Sequence, residues 1–187
     1  MRLLVPLVLS LGMLCGHAAA DTMPNIVQQY ADAFIEAHPE EEPPANGRSL
    51  SDVYAAAFFS GFTYPYGGMQ AKSQLVRDAY MHGQAHWNDH PAERKDIFAG
   101  YGYLPIDKTG VWSRGFEVSA FMPDDGDGPW WMNTLGGVRW SDVGVPDARN
   151  GKMRVHIIGY VSSAGRHGHL GGYAREVLVL SGGPAPE

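Results

Sequence analysis

Two clusters of histidine are the first residues whose type and spacing could do chemistry. His167 and His169 stand in GRHGHLGGY. A His-x-His pair in an extended segment puts both rings on one side, and neutral imidazole is a ligand for zinc or copper. His82 and His86 stand in HGQAHWNDH, four residues apart, so on a helix they lie one turn above each other at the spacing of a two-point metal site. His90 follows, but Pro91 disfavours helical backbone at the residue before it. A plainer role competes with ligation. Both helical histidines fall at the edge of the apolar stripe set by Leu75, Ala79 and Gly83, where amphipathic side chains tuck beside a core and bond to backbone. The candidate metal ligands are therefore His82, His86, His167 and His169, as a secondary reading, and no cofactor is expected.

The glycines around His167 invite a phosphate-cradle reading. Dinucleotide and P-loop motifs need a strand before the glycines and a helix after them, whereas EVLVLS after this segment reads as a strand. Gly165, Gly168, Gly171 and Gly172 are better read as a turn, with Gly171 or Gly172 at positive φ and His167 in solvent. Nothing marks an activated nucleophile: Gly-x-Ser-x-Gly is missing, and Ser162-Ser163 has no flanking signature. Glu117 and Glu176 could work as an acid/base pair only if the fold brought them together. The segment PDDGDGP lacks the alternating ligands of a calcium loop and reads as a solvated turn. No catalytic residue is expected, and the chain does not read as an enzyme.

The aromatics point elsewhere. Trp112, Trp130, Trp131 and Trp140 all lie in the second half of the chain. At Trp130-Trp131, strand alternation sends neighbouring side chains to opposite faces, so one of the two should stand outside the core. Trp130, Trp131, Tyr173 and Arg175 are thus candidate partner-binding residues. The formal net charge is −6, without a Lys/Arg cluster, which argues against nucleic acid and anionic membranes as partners. The expected function is non-enzymatic binding of another protein, of inhibitor or immunity type. The alternatives are zinc or copper binding through the histidines and cell-wall glycan binding through the tryptophans.

The elements that must position these residues follow from periodicity. Residues 21–104 read as a helical region of about four helices. Ile26, Val27, Tyr30, Ala31, Phe34 and Ile35 repeat at helical spacing, Ser49 and Asp52 resemble a capping pair for a second helix, a third carries Leu75 to Trp87, and Pro91 opens a short fourth that stops at Gly100. AFFSG and AYMHG place a glycine four residues after an alanine in the second and third helices. A glycine inside a helix costs about 1 kcal/mol against alanine, so close approach of the two helices is the best explanation. Residues 105–181 change to short β-branched and aromatic runs separated by turns. The fold class is α+β: a helical segment followed by a small five-stranded antiparallel sheet or OB-like barrel, with residues 182–187 a disordered tail.

The chain opens with Arg2, an apolar run at residues 3–14 and Ala18-Ala19-Ala20. That pattern reads as a secretory signal peptide over residues 1–20, too short to span a bilayer, and predicts a soluble periplasmic or secreted protein. Cleavage would remove Cys15, the one cysteine, leaving no thiol for disulfides or zinc. Lipid attachment at Cys15 is the rival, but Gly12-Met13-Leu14 is bulky where small residues are usual. Protein recovered from the producing cells is expected to begin at Asp21, as intact-mass measurement will show. A lipidated mass beginning at Cys15 would overturn this and turn a soluble protein into an anchored one.

Overall fold

The computed structural model describes residues 23–146 and 150–186. The expected signal peptide and Cys15 lie outside the described residues. Four α-helices come first: α1 (Asn25–Ala37), α2 (Leu50–Thr63), α3 (Gln74–Asp89) and α4 (Arg94–Gly100), the last entered through a 3₁₀ turn at Pro91–Glu93. Their ends follow local chemistry. The Asp52 N–H donates to Ser49 Oγ (3.1 Å) while the Asp52 carboxylate accepts the Ser49 N–H (3.2 Å), closing a capping box. His90 leaves helical geometry at φ −125° ahead of Pro91. No helix among the described residues is long and apolar enough to cross a membrane.

α2 and α3 pack at unusually close range, through the two glycines noted above. A methyl group on Gly61 would lie 1.9 Å from the Tyr80 carbonyl oxygen, and one on Gly83 would lie 2.0 Å from that of Phe58. Each helix therefore lays backbone directly on backbone.

Five strands follow: β1 (Tyr103–Gly115), β2 (Val118–Pro123), β3 (Trp130–Thr134), β4 (Gly151–Ser162) and β5 (Glu176–Pro184). They close in the order β1-β2-β3-β5-β4, with β4 pairing back onto β1. The result is OB-like, but the sheet is mixed where the sequence suggested a purely antiparallel one. β3 and β5 run parallel, from Trp131 opposite Glu176 to Thr134 opposite Val179. The reason is connectivity: the chain leaves β3, passes a 3₁₀ turn at Trp140–Val143 and enters β4 on the far side of β5, so β5 returns alongside β3 in the same direction. β5 also runs on to Pro184, into the residues 182–187 expected to be a disordered tail. Gly182, Gly183 and Pro184 face Ile157, His156 and Val155 of β4.

Two apolar cores result. Inside the barrel lie Trp112, Phe121, Trp130, Met132, Ile157 and Val179. Between the helices and the outer face of the barrel lie Phe58, Phe62, Trp87 and Phe98, joined by Tyr103 of β1 and Leu178 of β5.

Gly83→Ala separates two opposing effects. Alanine gains about 1 kcal/mol of helix propensity, but overpacking against a carbonyl that cannot move costs about 3 kcal/mol or more. A net loss of at least about 2 kcal/mol is expected in denaturant unfolding. Unchanged or increased stability would show that α2 and α3 do not meet backbone to backbone.

Candidate functional site

The β4–β5 loop, residues 163–175, is a turn as its glycines suggest. His167 and Tyr173 exchange backbone hydrogen bonds (2.9 and 3.2 Å), and Gly168 and Gly171 take φ of +68° and +67°, whereas Gly172 does not need positive φ. The expectation that His167 points into solvent is corrected. Its side chain is buried, with Nε2 3.1 Å from Ser162 Oγ and Nδ1 4.0 Å from Glu176 Oε2. Strand pairing causes this, because the loop folds its first half back over the ends of β4 and β5.

Serine, imidazole and carboxylate thus stand in the order of a nucleophilic triad. The surroundings do not suit one. Ser162 is 2% exposed, and its Oγ accepts the Glu176 N–H at 2.9 Å, so the hydroxyl hydrogen is left for His167 Nε2. Glu176 accepts from the Tyr103 hydroxyl at 3.1 Å and from Asn133. The Arg175 guanidinium donates to the Ser162 carbonyl at 2.9 Å. Every arm of the cluster is turned inward, which makes it a pin that fixes the loop. Glu117 is not part of it, so the possible Glu117–Glu176 pair does not form around these partners.

Glu117 instead meets the other histidine. It occupies the two-residue turn Phe116-Glu117 between β1 and β2, and its Oε2 lies 3.1 Å from His169 Nε2. His167 and His169 therefore each face a separate carboxylate and do not converge on one point. Glu117 (φ 57°) and Leu170 (φ 54°) are the non-glycine residues at positive φ among those described, one in each loop, at a cost of about 1–2 kcal/mol apiece. Beside them Phe116 is 88% exposed and Leu170 75%. The proposed contact residues divide. Trp130 is 3% exposed and belongs to the barrel core; Trp131 stands half-buried on the outer face against Tyr173 (ring centroids 5.2 Å) and beneath Gly168. Arg175 is committed to the Ser162 carbonyl.

In the helices, His82 and His86 do not form a two-point site. His82 Nδ1 is hydrogen-bonded to the Tyr54 hydroxyl. His86 is buried among aromatic rings with neither ring nitrogen hydrogen-bonded, an arrangement that costs about 1–3 kcal/mol when left uncompensated. Burial, with His90 nearby, lowers its pKa and keeps it neutral. Its neighbours are His90 and Glu93. Sequence spacing did not bring Glu93 forward, because the residue reaches His86 only through the break at Pro91. PDDGDGP forms a solvated turn as expected, where Asp124 pairs with Arg154 (2.6 Å) and Asp125 with Lys108.

Fold and site together define an α+β protein in which a helical layer backs a five-stranded OB-like barrel, with the β1–β2 turn and the β4–β5 loop joined at the surface. In comparisons with known proteins, no family model, curated protein or solved structure matches the chain.

Burial pushes the Glu176 carboxyl above its ordinary value, opposed by hydrogen bonds from Tyr103 and Asn133. The other titratable group facing it is His167. A raised carboxyl favours the protonated form in the folded state, so this group's contribution is full below the ordinary glutamate value of about 4.3 and is lost as pH rises through the folded value. Glu176→Gln keeps the acceptor for Tyr103 and is expected to melt higher than wild type near pH 7, with the gap closing toward about pH 4. Thermal melts across that range check it; a gap that widens on acidification contradicts the assignment.

Proposed function

We propose that the protein is an exported binding module that docks another protein on the surface formed by the β1–β2 turn and the β4–β5 loop, in the manner of an inhibitor or immunity factor. The observation that carries this reading is the pair Phe116 and Leu170, both far out in solvent on loops that the Glu117–His169 ion pair holds side by side. Full burial of side chains of this size is worth about 1.5–3 kcal/mol each. Backbone held in a costly conformation next to exposed apolar groups belongs with ligand clamps more than with idle turns.

Charge and chemistry favour a protein as the occupant. Arg166, bonded to the Leu170 carbonyl, and Lys152, opposite Ser113 near the end of β1, put positive charge at the rim of an otherwise acidic chain. A partner surface with an apolar cleft bordered by carboxylates complements that pattern. A glycan would want flat exposed tryptophans, yet Trp112 and Trp130 are core residues and Trp131 and Trp140 are partly covered. OB-type barrels bind their ligands with these same two loops, a fold-level analogy that supports the location alone. Export rests on Arg2, the apolar run at residues 3–14 and Ala18-Ala19-Ala20.

Photocrosslinking residues introduced singly at positions 116 and 170, and at the exposed controls Tyr66 and Met81, test the site in the producing cells. One discrete heterologous adduct is expected from both loops and from neither control, and Phe116→Asp should abolish the adduct formed at position 170. No loop adduct, the same adduct at the controls, or an adduct of twice the chain's own mass would sink the proposal.

A further inference from the structure

His86 is 2% exposed, and neither of its ring nitrogens has a hydrogen-bond partner. Buried polar atoms of this kind call for an explanation. A carboxylate stands beside it: Glu93 Oε2 lies 3.4 Å from His86 Nε2 without forming a hydrogen bond to the ring. The other oxygen of that carboxylate lies 3.2 Å from His90 Nδ1. The two imidazoles are stacked, centroids 4.5 Å apart and planes 12° from parallel. One donor atom from each of the three residues lies within 4.8 Å of the other two.

We propose that His86, His90 and Glu93 form a binding site for a zinc ion at the C-terminal end of α3, with water in the fourth position. Two imidazoles and a carboxylate make a borderline donor set that suits zinc, and three protein ligands with one open position are a recurring arrangement for it. Zinc–ligand bonds of about 2.0–2.1 Å in a tetrahedron set donor atoms about 3.4 Å apart. The His86–Glu93 separation already matches that edge, while the 3.2 Å separation from His90 is to the other oxygen of the carboxylate. What remains is a rotation of the His90 and Glu93 side chains, 45% and 48% exposed, that brings one carboxylate oxygen and both imidazoles onto the same ion.

The backbone accounts for the convergence. In an unbroken helix, residue 93 would stand seven positions beyond His86, about 10.5 Å along the axis. Pro91 stops α3 and opens the 3₁₀ turn Pro91–Glu93, in which the Glu93 N–H donates to the His90 carbonyl at 3.1 Å. That turn carries the carboxylate back over the end of α3. On the inner side, Tyr30, Phe58 and Phe62 ring His86 and exclude water from that ligand. Arg94, the nearby cation, is held away from the ligands by stacking on Trp87 (4.0 Å) and donating to the Trp87 carbonyl. The second nitrogen of His86 has no carbonyl or carboxylate behind it, so affinity falls below that of sites whose histidines are braced. The site is independent of the loops proposed for protein docking.

Zinc added to the chelator-stripped full chain, followed by competition with a chromophoric chelator, tests the site. Binding of one zinc per chain is expected, and cobalt substitution should give the visible bands of a tetrahedral complex. His86 is buried and its replacement could unfold the helices, so the exposed ligands carry the test. His90→Ala and Glu93→Gln should keep the wild-type melting temperature in chelator and weaken zinc binding by at least about tenfold, while His169→Ala should not. Absence of stoichiometric zinc in the wild type overturns the proposal, as does zinc binding that survives both exposed-ligand variants or is lost with His169.

Discussion

An aromatic layer between the helices and the barrel decides where everything else can lie. Phe98 of α4 stacks on Tyr160 of β4 with ring centroids 4.0 Å apart, and Phe59 of α2 stacks on Tyr101 at 4.1 Å. Tyr101 is anchored a second time, because its hydroxyl donates to the Ala55 carbonyl at 2.7 Å. Such pairs add about 0.5–1.5 kcal/mol each beyond the area they bury, and they act at the junction where α4 gives way to β1. Gly102 at φ +75° turns the chain there. The start of β1 is thereby fixed against α2, and β1 is the strand on which both β2 and β4 are built.

From that junction a line of buried polar contacts runs to the surface. Tyr103, the first residue of β1, is packed in the aromatic layer through its ring and bonded to Glu176 through its hydroxyl. Glu176 opens β5, its N–H holds Ser162 at the end of β4, and Ser162 holds His167 in the loop. The β4–β5 loop is thus braced from below by groups that are all spoken for. Its outer side, with Leu170 and His169, owes nothing to the core and can be given over to contact. The Glu117–His169 pair then couples the second loop to the first. Rigid support under a small exposed apolar pair limits the conformational entropy lost when a partner binds.

Much of this was legible in the sequence wherever the signal was local. Helical periodicity, the Ser49–Asp52 cap, the stop before Pro91 and the opposite placement of Trp130 and Trp131 each depend on residues a few positions apart. The glycines at 61 and 83 were informative because a helix tolerates them only for a packing reason. Contacts that need the barrel closed were not legible. His167 looked like a loop histidine because Ser162 and Glu176 flank it only once β4 and β5 are paired. The parallel register of β3 and β5 depends on which side of β5 the incoming β4 takes, and no local pattern encodes that choice. Glu93 stayed hidden for a related reason: helical spacing cannot reveal a partner that arrives through a break in the helix.

The two buried histidines show why one is satisfied and the other is not. His167 lies where strands end and a loop begins, and such places offer polar groups outside the regular backbone ladder, here the Ser162 hydroxyl and the Glu176 carboxylate. His86 lies inside a helix and against two others, where each carbonyl is already taken by the N–H four residues on and cannot readily accept from a side chain. A polar ring buried at such a place can find a counterpart only at a helix end, where chain direction changes and long polar side chains can fold back. The end of α3 is that place, and Glu93 is the group it delivers. The carboxylate stands 3.4 Å from the ring without hydrogen-bonding to it, a separation that two ligands sharing one ion would have.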